Sequence, residues 1–237
     1  MRNRRQRLYN YNKGIQMEIA VISDIHGNLI AFKEVLKSIG NKKIFCCGDL
    51  VGYYPFANEV IEIVKKRKII SVLGNHDYAV VTGDTSWFNP IAAFAIEWTR
   101  KRIKKENLEF LRNLPLVYKN SFYMVHGSPR NKLEEYVFPD CSIELLKYFL
   151  KLVNREILIL GHTHVPFVKK FDSEIVFNPG SVGQPRDFDP RASYAILDIE
   201  KREVEIIRVE YDIDAIADAV EREGLPLRLG QRLYFGR

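Results

Sequence analysis

The feature that most constrains this chain is a gesture it repeats. An apolar, β-branched run ends at a polar turn, and a helical stretch often follows. EIAVISDIHGN is the first instance, and Leu29, Phe32, Val35, Leu36 and Ile39 then mark one face of a helix expected over Leu29–Ile39, with Gly40 as its C-cap. KIFCCGDL and KIISVLGNHD repeat the strand, with NEVIEIVKKRK as the helix between them. A loop through Gly83 and Trp87 leads to NPIAAFAIEWTRKRIKKENLEFL, which reads as helix. SFYMVHGSP, EILILGHTH and EIVFNPGSVGQPRD read as strands running into turns, and CSIELLKYFLKLV as a helix. RASYAILDIEKREVEIIRVEYD reads as two strands about a charged turn, and DIDAIADAVERE as a terminal helix. This alternation predicts an α/β protein with parallel strands early and an antiparallel pair late. In such folds ligands gather beyond the carboxyl ends of strands.

Composition adds one warning. The formal charge of +6 invites a nucleic-acid reading, but Arg2, Arg4, Arg5, Arg7 and Lys13 sit in residues 1–16 with no acid among them. The other 31 basic side chains face 30 acidic ones, so the body is nearly neutral. The leader is expected to be a disordered extension ahead of a natural start at Met17. A basic arm for a polyanion is the alternative, and it would bind with steep salt dependence. No apolar core follows the basic residues as in a signal peptide, and no run is long enough to cross a bilayer. Cys46, Cys47 and Cys141 make a poor disulfide framework, and a reducing cytoplasm fits them.

The strand ends hold Asp24 with His26, Asp49, Asn75 with His76, His126, and His162 with His164. All five histidines of the chain are therefore there. Asp, Asn and Gly are ordinary turn residues, whereas histidine is not. Imidazoles, carboxylates and one amide suit Mn, Fe, Zn, Ni or Co better than Ca. Seven candidate ligands exceed one tetrahedral ion and suit a pair sharing a carboxylate, the arrangement used for in-line displacement at phosphorus.

DIHGN, GDLVG, GNHD, VHGSP and GHTH, in that order, resemble the blocks of the calcineurin-like metallophosphoesterase family, over Met17 to the C-terminus. GDLVGYYPFANEV, WTRKRI and NPGSVGQPRD look like its small prokaryotic phosphodiesterase branch. The resemblance implies a four-layer αββα sandwich of two mixed β-sheets flanked by helices, as a single domain over residues 17–237. It implies two divalent transition-metal ions, manganese foremost. Asp24, His26, Asp49 and His164 would hold one, and Asp49, Asn75, His126 and His162 the other, with Asp49 bridging. His76 would be the catalytic acid and not a ligand, and Asp77 would either orient it or cap a helix.

Substrate residues are less constrained. Tyr53 and Tyr54 follow the GDLVG block, and Tyr54 is a candidate contact. Arg130 and Arg186 lie in loops after strands, where each could hold a phosphate oxygen or simply face solvent. Trp87, Phe88 and Trp98 could wall a nucleobase or pack in the core. Phosphoprotein phosphatases of the superfamily carry an aspartate–arginine pair after the GD block, where this chain has Val51, Gly52, Tyr53 and Tyr54, which argues against that activity. The expected function is hydrolysis of a small-molecule phosphoester, foremost a diester on a nucleotide-like substrate. A dinucleoside polyphosphate hydrolase and a phosphomonoesterase are the alternatives. A retromer subunit uses the same fold as a protein-binding scaffold with degraded metal chemistry, but here every ligand position is intact. No membrane or nucleic acid is required, and a homo-oligomer is left open.

Overall fold

Strand β1 (Glu18–Ile22) is buried on both faces, and that sets the architecture. Ile19 and Val21 point to one side, Ala20 and Ile22 to the other, so each face needs its own covering layer. The computed structural model describes residues 18–237; the basic leader, residues 1–16, lies outside them.

After β1 come α1 (Leu29–Ile39), β2 (Lys43–Cys46), α2 (Ala57–Lys66), β3 (Ile70–Ser71), α3 (Asn75–Thr82), α4 (Pro90–Arg100) and α5 (Lys105–Arg112). Then follow β4 (Val117–Lys119), β5 (Tyr123–Val125), α6 (Ile143–Val153), β6 (Ile157–Ile159), β7 (Phe167–Phe171) and β8 (Glu174–Asn178). The chain closes with β9 (Ala192–Asp198), β10 (Glu203–Val209), α7 (Ile213–Arg222), α8 (Arg228–Gln231) and a 3-10 turn, Arg232–Phe235.

The strands form two mixed sheets, β10-β9-β1-β2-β3 and β4-β5-β6-β8-β7. β1, β2 and β3 run parallel in one, and β5, β6 and β8 in the other. Between the sheets, Ile19, Val21 and Phe45 meet Met124, Ile159 and Phe177. On the outer face of the first sheet, Ala20, Ile22 and Ile44 pack under Phe32 and Val35 of α1 and Val60 and Val64 of α2. On the outer face of the second, Val125, Leu158 and Val176 carry Leu146 and Phe149 of α6. The result is the four-layer αββα sandwich expected from the sequence.

Three departures from the sequence reading stand out. The long helical stretch breaks between α4 and α5 because Asn58 of α2 reaches across. Its amide donates to the Arg102 carbonyl and its Oδ1 accepts from the Lys104 N–H. The GNHD block, read as a turn, opens helix α3, with Asp77 accepting from the Gly74 N–H at 3.1 Å. Edge strands β4 and β7 carried no clear signal, since VYK is short and FVKKF is half exposed. Beyond the sandwich, Ile216 and Val220 of α7, Leu229 of α8 and Leu233 pack on Ala92, Ala95 and Trp98 of α4.

Candidate active site

Each parallel strand delivers its polar residues to one edge of the sandwich. Asp24 and His26 follow β1, Asp49 follows β2, and Asn75 follows β3. From the second sheet, His126 follows β5, and His162 and His164 follow β6. The chain must turn sharply at these points. Asp24, His26, Asp49, His162 and His164 all adopt left-handed φ, at 54°, 52°, 55°, 68° and 61°. They are five of the ten non-glycine residues with positive φ among those described. The turns interlock through main-chain bonds: Asp24 N–H to Gly48 O at 3.0 Å, His26 N–H to Asp49 O at 2.9 Å, and Gly183 N–H to Asp24 O at 2.9 Å.

The side chains meet in three overlapping groups that could each hold a metal: Asp24 with His26 and His164, Asp49 with His126 and His162, and between them His26 with Asp49 and His76. In the first, His164 Nε2 lies 3.3 Å from Asp24 Oδ1 and 3.1 Å from His26 Nε2. In the second, His126 Nε2 lies 3.3 Å from Asp49 Oδ2 and 2.8 Å from Asn75 Oδ1. Asp49 Oδ2 is also 3.5 Å from His26 Nε2, so one carboxylate oxygen faces both groups.

The surroundings aim these atoms. Asp49 Oδ1 accepts the His76 N–H at 2.8 Å, and Asp24 Oδ2 accepts the Ser23 hydroxyl at 2.5 Å and the His162 N–H at 3.2 Å. Each carboxylate is thus pinned by one oxygen. The other oxygens, Asp24 Oδ1 and Asp49 Oδ2, are buried without a hydrogen-bond partner among the described residues. A buried carboxylate oxygen left so is unfavourable unless a cation completes it, and the donor set of imidazoles, carboxylates and an amide fits divalent transition metals. His126 Nδ1 sits 2.7 Å from the Cys47 carbonyl and His164 Nδ1 2.6 Å from the Gln184 carbonyl. Those bonds fix the rings with Nε2 toward the site, the outer support typical of metal-binding imidazoles. His162 Nε2 approaches the Glu134 carbonyl at 3.3 Å, which leaves Nδ1 as its ligand atom.

The electrostatics are those of a charged cluster out of water. Burial opposes charge on Asp49, but His126, His76 and His26 outweigh it and hold the carboxyl far below its usual range. Burial likewise opposes charge on His126, yet Asp49 beside it raises the imidazole to about 9. Burial, then the charge of His126, lowers His162 to about 3. Burial also holds His76 and His164 well below an ordinary histidine.

A cleft of about 430 Å³ opens over the cluster. His76 lines it, its ring 4.6 Å from His26, 4.5 Å from Tyr53 and 4.9 Å from Phe88. A Cβ on Gly52 (φ 138°) would stand 2.5 Å from His76 Nδ1, so glycine there lets the backbone support the ring. His76 also falls within 4.8 Å of His26 and Asp49 ligand atoms, so distance alone does not separate acid from ligand.

The sequence expectations for the surrounding residues divide. Arg186 lines the cleft, held by Gln184 Oε1 at 2.7 Å and the Tyr53 hydroxyl at 3.3 Å. Trp87 and Phe88 line it too, whereas Trp98 is core and donates its indole N–H to the Glu223 carbonyl. Tyr54 is corrected: it is fully buried, donates its hydroxyl to the Leu229 carbonyl, and leaves the wall to Tyr53. Arg130 is also corrected, because Glu135 pairs with it outside the cleft. Asp77 caps α3 and accepts the Val51 N–H, and no bond joins it to His76 Nδ1, which has no partner. Glu134, Tyr136 and Arg232 line the cleft without a sequence signal, since they come from irregular loops and the C-terminal turn. Tyr136 stacks on His162 at 4.0 Å.

Sandwich and donor set together define a protein built to work with divalent metal at the edge of two sheets. Residues 17–202 match the calcineurin-like phosphoesterase superfamily domain. The chain belongs to that superfamily and is a metal-dependent phosphoester hydrolase. An uncharacterized protein of Methanocaldococcus jannaschii is 40% identical over 94% of this chain and all of that protein. The crystal structure of a metallophosphoesterase from Sphaerobacter thermophilus superposes with TM-score 0.83 at 36% identity, covering 93% of this chain and 99% of the other. Phosphodiesterase YfcE of Escherichia coli (strain K12) is 28% identical over 77% of this chain and 88% of its own.

Proposed function

We propose that this protein is a phosphodiesterase for nucleotide-like small molecules, working with two divalent ions, manganese foremost. Asp24, His26, Asp49 and His164 would hold one ion, and Asp49, Asn75, His126 and His162 the other. The observation that carries this reading is Asp49 Oδ2, buried, without a hydrogen-bond partner among the described residues, and facing imidazoles of both donor groups. When bound, the ions supply Lewis acidity and activate the attacking water.

The remaining steps belong to the chain. Gly52 and Tyr53 hold the His76 ring against the cleft, where it passes a proton to the leaving oxygen. Burial disfavours the protonated ring, and a phosphate anion in the cleft opposes that by favouring its charge. Arg186, steadied by Gln184 and Tyr53, offers a guanidinium to a non-bridging oxygen. Trp87, Phe88 and Tyr136 give the cleft the aromatic wall a base would stack on. The reading needs neither membrane nor nucleic acid, and the free cysteines fit a reducing cytoplasm.

The test is a turnover screen across phosphomonoesters, diesters and pyrophosphate-linked nucleotides with Mn, Ni, Co, Zn and Mg. Diesters should lead, with two ions per chain by elemental analysis. Faster turnover of monoesters than of any diester would overturn the assignment.

A further inference from the structure

The metal cleft continues into a second cavity of about 620 Å³, and Tyr53, Asn89 and Arg232 line both. The C-terminal segment walls this annex with Arg228, Arg232 and Arg237. Arg186 faces the neighbouring cleft, so four guanidinium groups line one connected space. Glu134 is confined to the cleft, and no Asp or Glu side chain lines the annex.

Elsewhere Arg112, Arg130, Arg191, Arg202 and Arg208 are paired with carboxylates, while Arg67, Arg100, Arg155 and Arg222 donate to main-chain carbonyls, so it is the clustering of arginines and not the lack of a pair that marks the annex. Among the described residues, no Asp or Glu side chain forms an ion pair with Arg186, Arg228, Arg232 or Arg237. Arg186 is held by neutral acceptors, whereas Arg232 Nε donates to a backbone oxygen of Arg237, the last residue, whose terminal carboxylate offsets one of the positive charges there. Arg232 is half-buried, and burial together with the positive charge of Arg186 works against its own charge. With three guanidinium groups, no Asp or Glu side chain and only the terminal carboxylate against them, the annex carries an excess of positive charge. A guanidinium fork matches the oxygens of a phosphate in particular.

We propose that the annex is an anion subsite for a second phosphate, so that the preferred substrates carry at least one phosphate group beyond the scissile one. The proposal rests on the phosphoesterase reading above only in seating the scissile phosphate at the metals.

Calorimetric titration of the manganese-loaded full chain with AMP and with ADP, at fixed free manganese, tests it. ADP should bind about tenfold more tightly than AMP, at one per chain. Arg228→Gln and Arg237→Gln change exposed side chains and should together remove most of that advantage while leaving AMP affinity unaltered. Equal affinities in the unmodified protein, or an ADP advantage that survives the paired substitution, would overturn the subsite. Diester turnover, measured alongside, keeps the two readings apart. Hydrolysis without an ADP preference sinks the annex alone, and an Arg-dependent ADP preference without hydrolysis sinks the phosphodiesterase alone.

Discussion

Asp24, His26, Asp49, His162 and His164 share a left-handed backbone conformation that is uncommon outside glycine, although aspartate and histidine adopt it more often than most residues. A residue with a Cβ in the left-handed region costs about 1–2 kcal/mol, and strain of this kind persists only where neighbouring structure enforces it. Here the enforcement is the lattice of main-chain bonds joining the first, second and eighth strand ends. The reward is direction, since each turn throws its side chain off the sheet edge toward the same point. His76 differs: it begins helix α3 with ordinary helical φ and reaches the cleft from the side. His76→Ala is therefore expected to keep two ions per chain by elemental analysis. It should lose about 10²–10⁴-fold in kcat on an alkyl diester, and much less on a nitrophenyl ester whose leaving group needs no proton. A variant short of an ion would instead make His76 a ligand. The four histidines among the seven candidate ligands stand out because histidine is a poor turn former, and Asp24, Asp49 and Asn75 are named through the family blocks that hold them. Tyr53 could not be chosen over Tyr54, because adjacent residues differ only in the direction they face.

At the level of elements, the site depends on how closely two strand-end turns approach. Gly48 and Gly74 mark the crossing. A Cβ on Gly74 would lie 2.1 Å from Asp49 Oδ1, which the His76 N–H holds in place, and 2.2 Å from Asp49 N. Gly74→Ala must therefore displace the Asp49 carboxylate or the start of α3. The expected result is a folded protein by circular dichroism with a Tm lower by several degrees, fewer than two ions bound, and diester turnover reduced at least about 100-fold. Unchanged metal content would mean that the Asp49 position tolerates far more movement than its contacts suggest. Strands β1, β2, β5, β6 and β8 and helices α1, α2, α6 and α7 were readable because an apolar run or stripe is clear in each, with Asn28, Ser142 and Asp212 capping α1, α6 and α7. Helix α3 was hidden because its eight residues carry no apolar stripe, and its stability comes from Asp77 binding the Gly74 and Val51 N–H groups. The break between α4 and α5 was hidden because it is made by Asn58, more than forty residues away in sequence.

Across the whole molecule, the ligands come from both sheets, so bound ions would clasp the two halves of the sandwich. Each ion binding only the folded state adds about 2.7 kcal/mol at a free concentration one hundred times its Kd. For a chain of this size, removing two with a chelator should lower Tm by about 10–20 °C by calorimetry. Metal affinity should also rise with pH. Asp49 keeps His126 protonated up to about 9, above its ordinary value, and Nε2 must shed that proton to ligate. Affinity is then expected to climb about tenfold per pH unit from neutrality toward 9 and to level off above, with proton release measured by calorimetry in buffers of different ionisation enthalpy. A flat profile would show that His126 is neutral in the metal-free protein. The sequence by itself determined the alternation of strands and helices, the metal-binding residue types at the strand ends and the family, because these rest on local periodicity and on motifs whose members are close in the chain. Only the tertiary structure decided which tyrosine and which arginine face the cleft, that Asp77 caps rather than orients, and that the C-terminal arginines adjoin the cleft. Those facts depend on side-chain direction and on contacts between distant segments, which no local pattern encodes.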